Sequence, residues 1–389
     1  MSNPESAYSA YSAYSAYSAY SAYSAYSAYS AYSAYGRESP VDALALMTNR
    51  DGIVGARLEN LTPPLKALAD DPNTLKRLSP DVQTALYVSE LAPTVDVSAN
   101  PAGPSPEVTV WRRNGLNVKN GNTNFVEMMN MTAPSMDQLV DQMRFLSGYS
   151  QIRGDRAAEI LGQLSLPIPF FATIGYMDPS RTPRTLELLN AITTFSFTVI
   201  QRTKFALAVK RPIEFSPQVQ PMIPTPTHAS LPSGHATEAF LIARVLWKLL
   251  RESGAQQYED HAYWGDMLMR QAARVAINRT VAGVHFPVDS VAGAALGLTL
   301  AEHVHSVAKG GKWSSCVFDG SQYNSETDFE WFRLYGPEKD KMRKTFQSGG
   351  AKWGGSEQHE GSSGIPAPML NWLWKQAVAE WCEVPAIKD

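Results

Sequence analysis

From Gly36 onward, apolar positions recur three or four residues apart over much of the chain, the spacing that lines up one face of an α-helix. Met136 to Leu146 shows it, and so does Leu75 to Leu91, where Pro80 must break or start a helix. Leu186 to Val209 is a long candidate helix stopped at Arg211-Pro212, because proline disfavours helix at the residue before it. Two strong helices follow at about His235 to Arg251 and His261 to Ala276, then Pro287 to Ala308 after a short break. Pro287 suits a first helical position, and Ala292, Gly293, Ala294, Ala295 and Gly297 leave room for close helix-to-helix approach. Thr94 to Val108 carries three prolines and reads as a loop or linker; Pro212 to Pro232 carries six and reads as a loop. Val108 to Trp111 suggests one short strand. The region Lys309 to Asp389 is rich in Gly, Trp and charge, with an amphipathic stretch near Met369 to Trp381. No convincing strand alternation stands out, so the predicted class is mainly α.

The pattern changes at the N-terminus, where residues 6–35 are ten uninterrupted copies of Ser-Ala-Tyr. A period of three matches neither helix nor strand, and nothing aliphatic larger than Ala is present to offset ordering entropy. Residues 1–40 are expected to be a disordered tail, either a low-complexity expansion or a tyrosine-rich self-association segment. Residues 41–389 are expected to form one helical catalytic domain with its active-site core at about 186–308.

Composition narrows the class. Across 389 residues, 44% are apolar and 18% charged, as in globular proteins with a sizeable core. A net charge of -3 gives no bulk reason to expect nucleic acid or an anionic membrane as partner. The most apolar windows, Phe240 to Leu250 and Val288 to Leu300, contain Arg244 and Lys248 or Asp289, so they read as core helices and no membrane span is expected. The N-terminus lacks a basic segment followed by an apolar one, which points to a cytoplasmic or non-classically exported protein. Cys316 and Cys382 are too few for a disulfide framework; free thiols are the simpler reading, one bridge the other.

Charge is instead concentrated around a few positions. Lys204 and Arg211 lie seven residues apart, about two helical turns, so both cations project from one face if the helix continues. Alone, such a pair is an ordinary solvated face. Pro232-Ser233-Gly234-His235 directly precedes a helix, where free N–H groups and the helix dipole favour an anion and Gly234 lets it approach the main chain. Alone, this is a Ser N-cap with a first-turn histidine. Arg279, His285 and Asp289 follow, the last two at helical i,i+4 reach. The carboxylate there can fix the imidazole tautomer and make the other nitrogen a nucleophile or metal ligand, or the pair is simply structural. Taken together, three cations, a serine, a glycine amide and two histidines make an oxyanion cradle.

In this order and spacing, Lys204-x6-Arg211-Pro212, Pro232-Ser233-Gly234-His235 and Arg279-x5-His285-x3-Asp289 resemble the three-part pattern of the vanadium haloperoxidase and type 2 phosphatidic acid phosphatase superfamily. Asn278 departs from it, standing where a Ser usually precedes the Arg. The resemblance implies a helical bundle in which Lys204, Arg211, Arg279, Ser233 and Gly234 hold equatorial oxygens of vanadate, or of phosphate in the same site. It implies His285 as axial vanadium ligand or phosphorus nucleophile, Asp289 as its orienting partner and His235 as the acid–base group. His228 matches a position where bromide-oxidising members also carry a histidine; otherwise it is a loop histidine bound to backbone. His261, His303, His305 and His359 have no partners at telling spacings, so surface or helix-end positions are expected for them.

A long chain without a membrane span or signal looks most like the haloperoxidase branch. The resulting expectation is a vanadate-dependent haloperoxidase using hydrogen peroxide to oxidise a halide, bromide or iodide favoured, and to halogenate a small organic acceptor. A phosphatase acting on phosphate monoesters through a phosphohistidine is the alternative, and a non-catalytic oxyanion-binding or scaffold protein is a third reading. The resemblance also allows a homo-oligomer.

Overall fold

A computed structural model describes residues 44, 46–54, 61–66, 68–100, 105–115, 124–361 and 364–382. The Ser-Ala-Tyr tract lies outside the described residues. The chain divides into two units, residues 1–87 and 88–389. In the first, a 3₁₀ turn at Pro72–Arg77 is capped by the Asp71 carboxylate, which accepts from the Asn73 amide. Pro80 starts a helix, α1 (Pro80–Leu91), whose last turn belongs to the second unit.

The second unit is built mainly from helices: α2 (Met136–Ser150), α3 (Arg153–Gly162), α4 (Ile168–Gly175), α5 (Pro183–Leu207), the single turn α6 (Pro212–Phe215), α7 (Gly234–Ser253), α8 (His261–Val281), α9 (Pro287–Lys309) and α10 (Pro368–Ala379). Helix α7 is central and packs on α8, α9 and α5. Every residue of α9 except His305 and Lys309 is buried, which explains why its sequence is apolar and small on all sides.

The α7–α9 contact is made backbone to backbone. A Cβ on Gly297 would lie 2.3 Å from the Thr237 carbonyl oxygen, and one on Gly293 would lie 2.5 Å from that of Ser233. The small-residue row therefore serves the close approach expected of it, and it fixes the N-terminal turn of α7 against the first turns of α9.

Strands are where the mainly helical expectation falls short. A six-stranded sheet runs in the order β1 (Val95–Asn100), β2 (Glu107–Asn114), β3 (Asn124–Thr132), β4 (Trp313–Asp319), β8 (Ala351–His359), β7 (Phe346–Ser348). Neighbours are antiparallel except β3 and β4, which run parallel with Met129 opposite Cys316. The short strands β5 (Tyr335–Gly336) and β6 (Lys341–Met342) pair separately. The expected strand at Val108 to Trp111 lies within β2, but the stretch expected as a loop, Thr94 to Val108, contains β1 and the start of β2.

The missed alternation has physical causes. In β2 the inward positions are Val108, Val110 and Arg112, and Arg112 is buried under the Trp313 ring with its guanidinium carbon 4.6 Å from the ring centre. A buried arginine reads as an outward position. In β8 a Cβ on Gly354 would meet the Val317 carbonyl at 2.1 Å, so a close strand contact is written as glycine. Two helix ends also move: α5 stops at Leu207, before Arg211, and α8 continues to Val281. The loop from Pro212 to Pro232 holds α6 and a 3₁₀ turn at Pro217–Val219. Cys316 is buried and Cys382 exposed, both as free thiols. Among the described residues, no helix is long and apolar enough to cross a membrane.

Replacing Gly297 with Ala forces a methyl group into the Thr237 carbonyl, and overpacking of this kind costs about 1–3 kcal/mol. Urea denaturation of Gly297→Ala is expected to show a lower midpoint at unchanged slope; an unchanged midpoint would mean that the α7–α9 contact can relax.

Candidate active site

The two cations expected on one helical face reach the site by different means. Lys204 sits in the last turn of α5, 1% exposed, and its Nζ donates to the carbonyls of Ala229 and Ser230, each at 2.9 Å. The helix then ends: Ala208 adopts a left-handed conformation at φ 50° and its amide closes on the Lys204 carbonyl. Arg211 lies beyond that cap, so its convergence with Lys204 comes from the turn and not from helical periodicity. Its guanidinium is held by the carbonyls of His228 (2.9 Å), Val284 (2.9 Å) and Ala229 (3.3 Å). It also faces His285 Nε2 at 3.3 Å and His228 Nδ1 at 3.1 Å. His228 Nδ1 also lies 3.3 Å from the Ala229 carbonyl, so this nitrogen faces a donor in Arg211 and an acceptor in the backbone.

Ser233 is the N-cap of α7. Its hydroxyl accepts from the Ala236 amide and its own amide donates to the Asp289 carbonyl at 2.9 Å. At Gly234, an added Cβ would find only Ile200 Cγ2, at 3.8 Å, within 4 Å. The protein itself does not fill the space beside that amide, at the positive end of a twenty-residue helix.

His285 and Asp289 form the buried centre. Asp289 Oδ2 accepts from His285 Nδ1 at 3.0 Å, from the Phe286 amide at 2.9 Å and from the Ser230 hydroxyl. Three donors converge on one oxygen, while Oδ1 is buried with no partner. The imidazole hydrogen is thereby placed on Nδ1, and Nε2 is left with its lone pair toward Arg211. Ser230 was not predicted, although it stands only three residues before Ser233.

Arg279 completes the set, 1% exposed at the end of α8. Its Nη2 donates to Gln163 Oε1 at 3.2 Å, while its Nε is buried without a partner. Gln163, which caps α3, also accepts from His235 Nε2 through its carbonyl at 2.8 Å. That contact leaves Nδ1 as the free nitrogen of His235. Gln163 comes from a helix end far upstream, and no local pattern announces it. Asn278 stands behind this cluster, donating to Glu159 Oε1 (2.9 Å) and to Gln163 Oε1 (3.0 Å), the oxygen that also accepts from Arg279, and accepting from Arg156 (3.2 Å). It ties α8 to α3, a structural use of the position that departs from the family pattern.

Three cations packed in a buried site act on every neighbour. Burial holds the Lys204 ammonium well below its usual range and Arg211 adds to this, against Asp289 and Glu238. Burial, then Arg211 and Lys204, keeps His285 neutral at physiological pH. Burial and Arg279 push His235 down to about 3, against the Gln163 carbonyl. Burial and then Lys204 and Arg211 lower His228 to about 4. Burial raises Asp289 to about 6, against its hydrogen bonds and the two cations. An oxyanion would relieve the repulsion among Lys204, Arg211 and Arg279, and Arg279 Nε is a buried donor without a partner. These donors suit phosphate or vanadate alike. No cluster of three or more His, Cys, Asp or Glu suited to a metal ion occurs among the described residues; an oxyanion attached through one histidine does not require one.

The other histidines lie elsewhere. His303 is fully buried, contrary to the surface or helix-end expectation, with Nε2 2.7 Å from Thr94 Oγ1; its neighbour in space is supplied by a strand-edge segment that the sequence pattern missed. His305 pairs with Glu252, and His359 stacks on Trp313. His261 opens α8 at an exposed position.

Residues 184–311 match the model of the PAP2 superfamily, a span that holds every predicted site residue. The comparison with curated proteins found no match. Among solved structures, the chain is similar to "the first transmembrane PAP2 type phosphatidylglycerolphosphate phosphatase from Bacillus subtilis". Identity is 17%, covering 43% of this chain and 93% of that one, with a TM-score of 0.26.

Asn278→Ser restores the residue usual in the pattern but removes the amide that joins Glu159, Gln163 and Arg156. Losing buried hydrogen bonds costs about 1–3 kcal/mol. Denaturation is expected to show that loss while phosphate affinity, read by calorimetry, stays near the wild-type value. A large fall in affinity at unchanged stability would place Asn278 in the anion site instead.

Proposed function

We propose that this chain, which belongs to the PAP2 superfamily through residues 184–311, hydrolyses phosphate monoesters by way of a phosphohistidine at His285. The observation that carries the reading is the buried Ser230–Asp289–His285 relay, which presents a neutral, oriented Nε2 beside Arg211.

The chemistry follows from these contacts. Lys204, Arg211, Arg279, the Ser233 hydroxyl and the Gly234 amide hold the phosphoryl oxygens and stabilise the charge of the five-coordinate transition state. His285 Nε2 attacks phosphorus as the ester P–O bond breaks, and Asp289 offsets the positive charge that develops on the ring. His235 donates a proton from Nδ1 to the departing alkoxide, with Nε2–H held by the Gln163 carbonyl. The bound phosphoryl dianion offsets the cations that otherwise keep His235 unprotonated. In the second step His235 takes a proton from water, the water oxygen attacks phosphorus, and the P–N bond breaks to release phosphate and neutral His285.

The vanadate-dependent haloperoxidase keeps one observation in its favour, the His228 imidazole hydrogen-bonded to Arg211 at the wall of the cage. Vanadate would be held by the same five groups together with His285, and it would supply activation of hydrogen peroxide toward bromide or iodide. A non-catalytic oxyanion-binding role is the remaining reading.

One preparation, assayed before and after loading with orthovanadate, separates the readings. Hydrolysis of an aryl phosphate that vanadate inhibits, with a phosphoenzyme trapped in wild type and absent in His285→Ala, is the expected result. Peroxide-driven halogenation only after loading would reassign the site to the haloperoxidase, and inertness in both arms would leave oxyanion binding.

The pH profile tests the relay separately. As pH falls through about 6, Asp289 takes up a proton and no longer accepts from His285, so kcat/KM is expected to fall on the acid side. Asp289→Asn should abolish that limb and lower kcat on the order of a thousandfold, as expected for loss of the carboxylate behind a catalytic histidine. A profile flat from pH 5 to pH 8 in the wild type would contradict the assignment.

A further inference from the structure

A cleft of about 510 Å³ opens beside the cage, between the last two turns of α5 and the loop at Thr227–Ala229. Its walls and the cage share two residues. Lys204 stitches the helix to the loop through the Ala229 and Ser230 carbonyls, and His228 is bonded to Arg211. A phosphate ester with its phosphoryl group among Lys204 and Arg211 therefore has this cleft beside it for the rest of the molecule. The volume is that of a small-molecule subsite.

The outer part of the cleft has a specific chemistry. Phe205 is 79% exposed on a helix whose other large apolar side chains are mostly buried, so a flat apolar surface faces solvent one residue from a cage lysine. Arg202 lies on the same wall, three residues before Phe205 and exposed. Its Nη2 donates to the Val97 carbonyl at 3.3 Å, and among the described residues no carboxylate lies within ion-pairing distance of it. An aromatic face and an uncompensated guanidinium thus stand at one opening, with the cage lysine, Lys204, in the same wall.

We infer that this cleft is the leaving-group subsite, and that it selects phosphate monoesters whose leaving group is aromatic and carries a second negative charge. The inference rests on the phosphate monoester reading. Phe205 stacks on the ring and Arg202 pairs with the second charge; neither touches the reacting atoms, so both act on specificity.

The test uses three substrates, phenyl phosphate, 4-carboxyphenyl phosphate and glycerol 2-phosphate, on the full chain and on Arg202→Gln and Phe205→Ala. Both side chains are exposed, and folding of the variants is checked by their unfolding midpoints. Comparing each variant with wild type cancels the intrinsic reactivity of the esters. Arg202→Gln is expected to lower the ratio of kcat/KM for 4-carboxyphenyl over phenyl phosphate roughly threefold, the size of an exposed ion pair. Phe205→Ala is expected to lower the ratio of phenyl over glycerol phosphate roughly fivefold, the size of an aromatic contact. Ratios unmoved by either variant overturn the proposal while leaving the function intact. If the wild type hydrolyses none of the three, the function reading fails by itself, and the subsite is read by calorimetry with phenylphosphonate and 4-carboxyphenylphosphonate. Tighter binding of the carboxylated ligand that is lost in Arg202→Gln supports the subsite, and equal affinities overturn it.

Discussion

The approach of α9 to α7 sets the geometry on which the site depends. Two glycines let the α9 backbone come close to the carbonyls of Ser233 and Thr237, and the Ser233 amide closes on the Asp289 carbonyl. The N-terminal turn of α7, which offers amides to an anion, is thus fixed to the turn that carries the His285 partner. A methyl group between those helices would separate the turns that carry Ser233 and Asp289. On the phosphate monoester reading this positioning would matter more than any single contact, because phosphoryl transfer is catalysed mainly by placement and electrostatics.

The second constraint is electrostatic. Lys204, Arg211 and Arg279 are each almost fully buried, and burying charge is unfavourable unless it is compensated. Backbone carbonyls of Ala229, Ser230, His228 and Val284 carry much of that compensation. Asp289 adds a full charge, but its Oδ2 is committed to Ser230, Phe286 and His285. The arrangement concentrates positive potential and keeps His235 and His285 neutral. On the phosphate monoester reading, a bound dianion would offset the potential that lowers His235, coupling substrate binding to the protonation that the leaving group needs.

How much of this was legible in the sequence follows from where each partner lies along the chain. His285 and Asp289, four apart at a helix start, and Ser233 with Gly234 at an N-cap, are local pairs that spacing reveals. Lys204 and Arg211 both reach the Ala229 carbonyl, but not along one helical face as expected, since the left-handed Ala208 cap intervenes. Gln163 and Ser230 escaped because their roles arise from tertiary contacts: a helix C-cap carbonyl meeting His235, and a loop hydroxyl meeting Asp289. The six-stranded sheet escaped because its inward positions include Arg112, serine and glycine, residues that hide the two-residue period. The buried His303 was misplaced for the same reason, since Thr94 beside it precedes a strand that read as a linker.

The cage fixes the reacting centre without fixing the reaction, because a five-coordinate oxyanion bound to histidine describes both a phosphoryl-transfer transition state and bound vanadate. Discrimination therefore moves outward, to groups that meet what approaches the cage. His228, held neutral with Nδ1 toward Arg211, is one such group; Arg202 and Phe205, on the wall that shares Lys204, are the others. On the phosphate monoester reading, that wall would hold the leaving group beside the cage, converting remote binding energy into orientation. An electron-rich aromatic acceptor would press on the same Phe205 with no phosphoryl anchor beneath it, so the dependence of affinity on a phosphonate group separates the two uses of one surface.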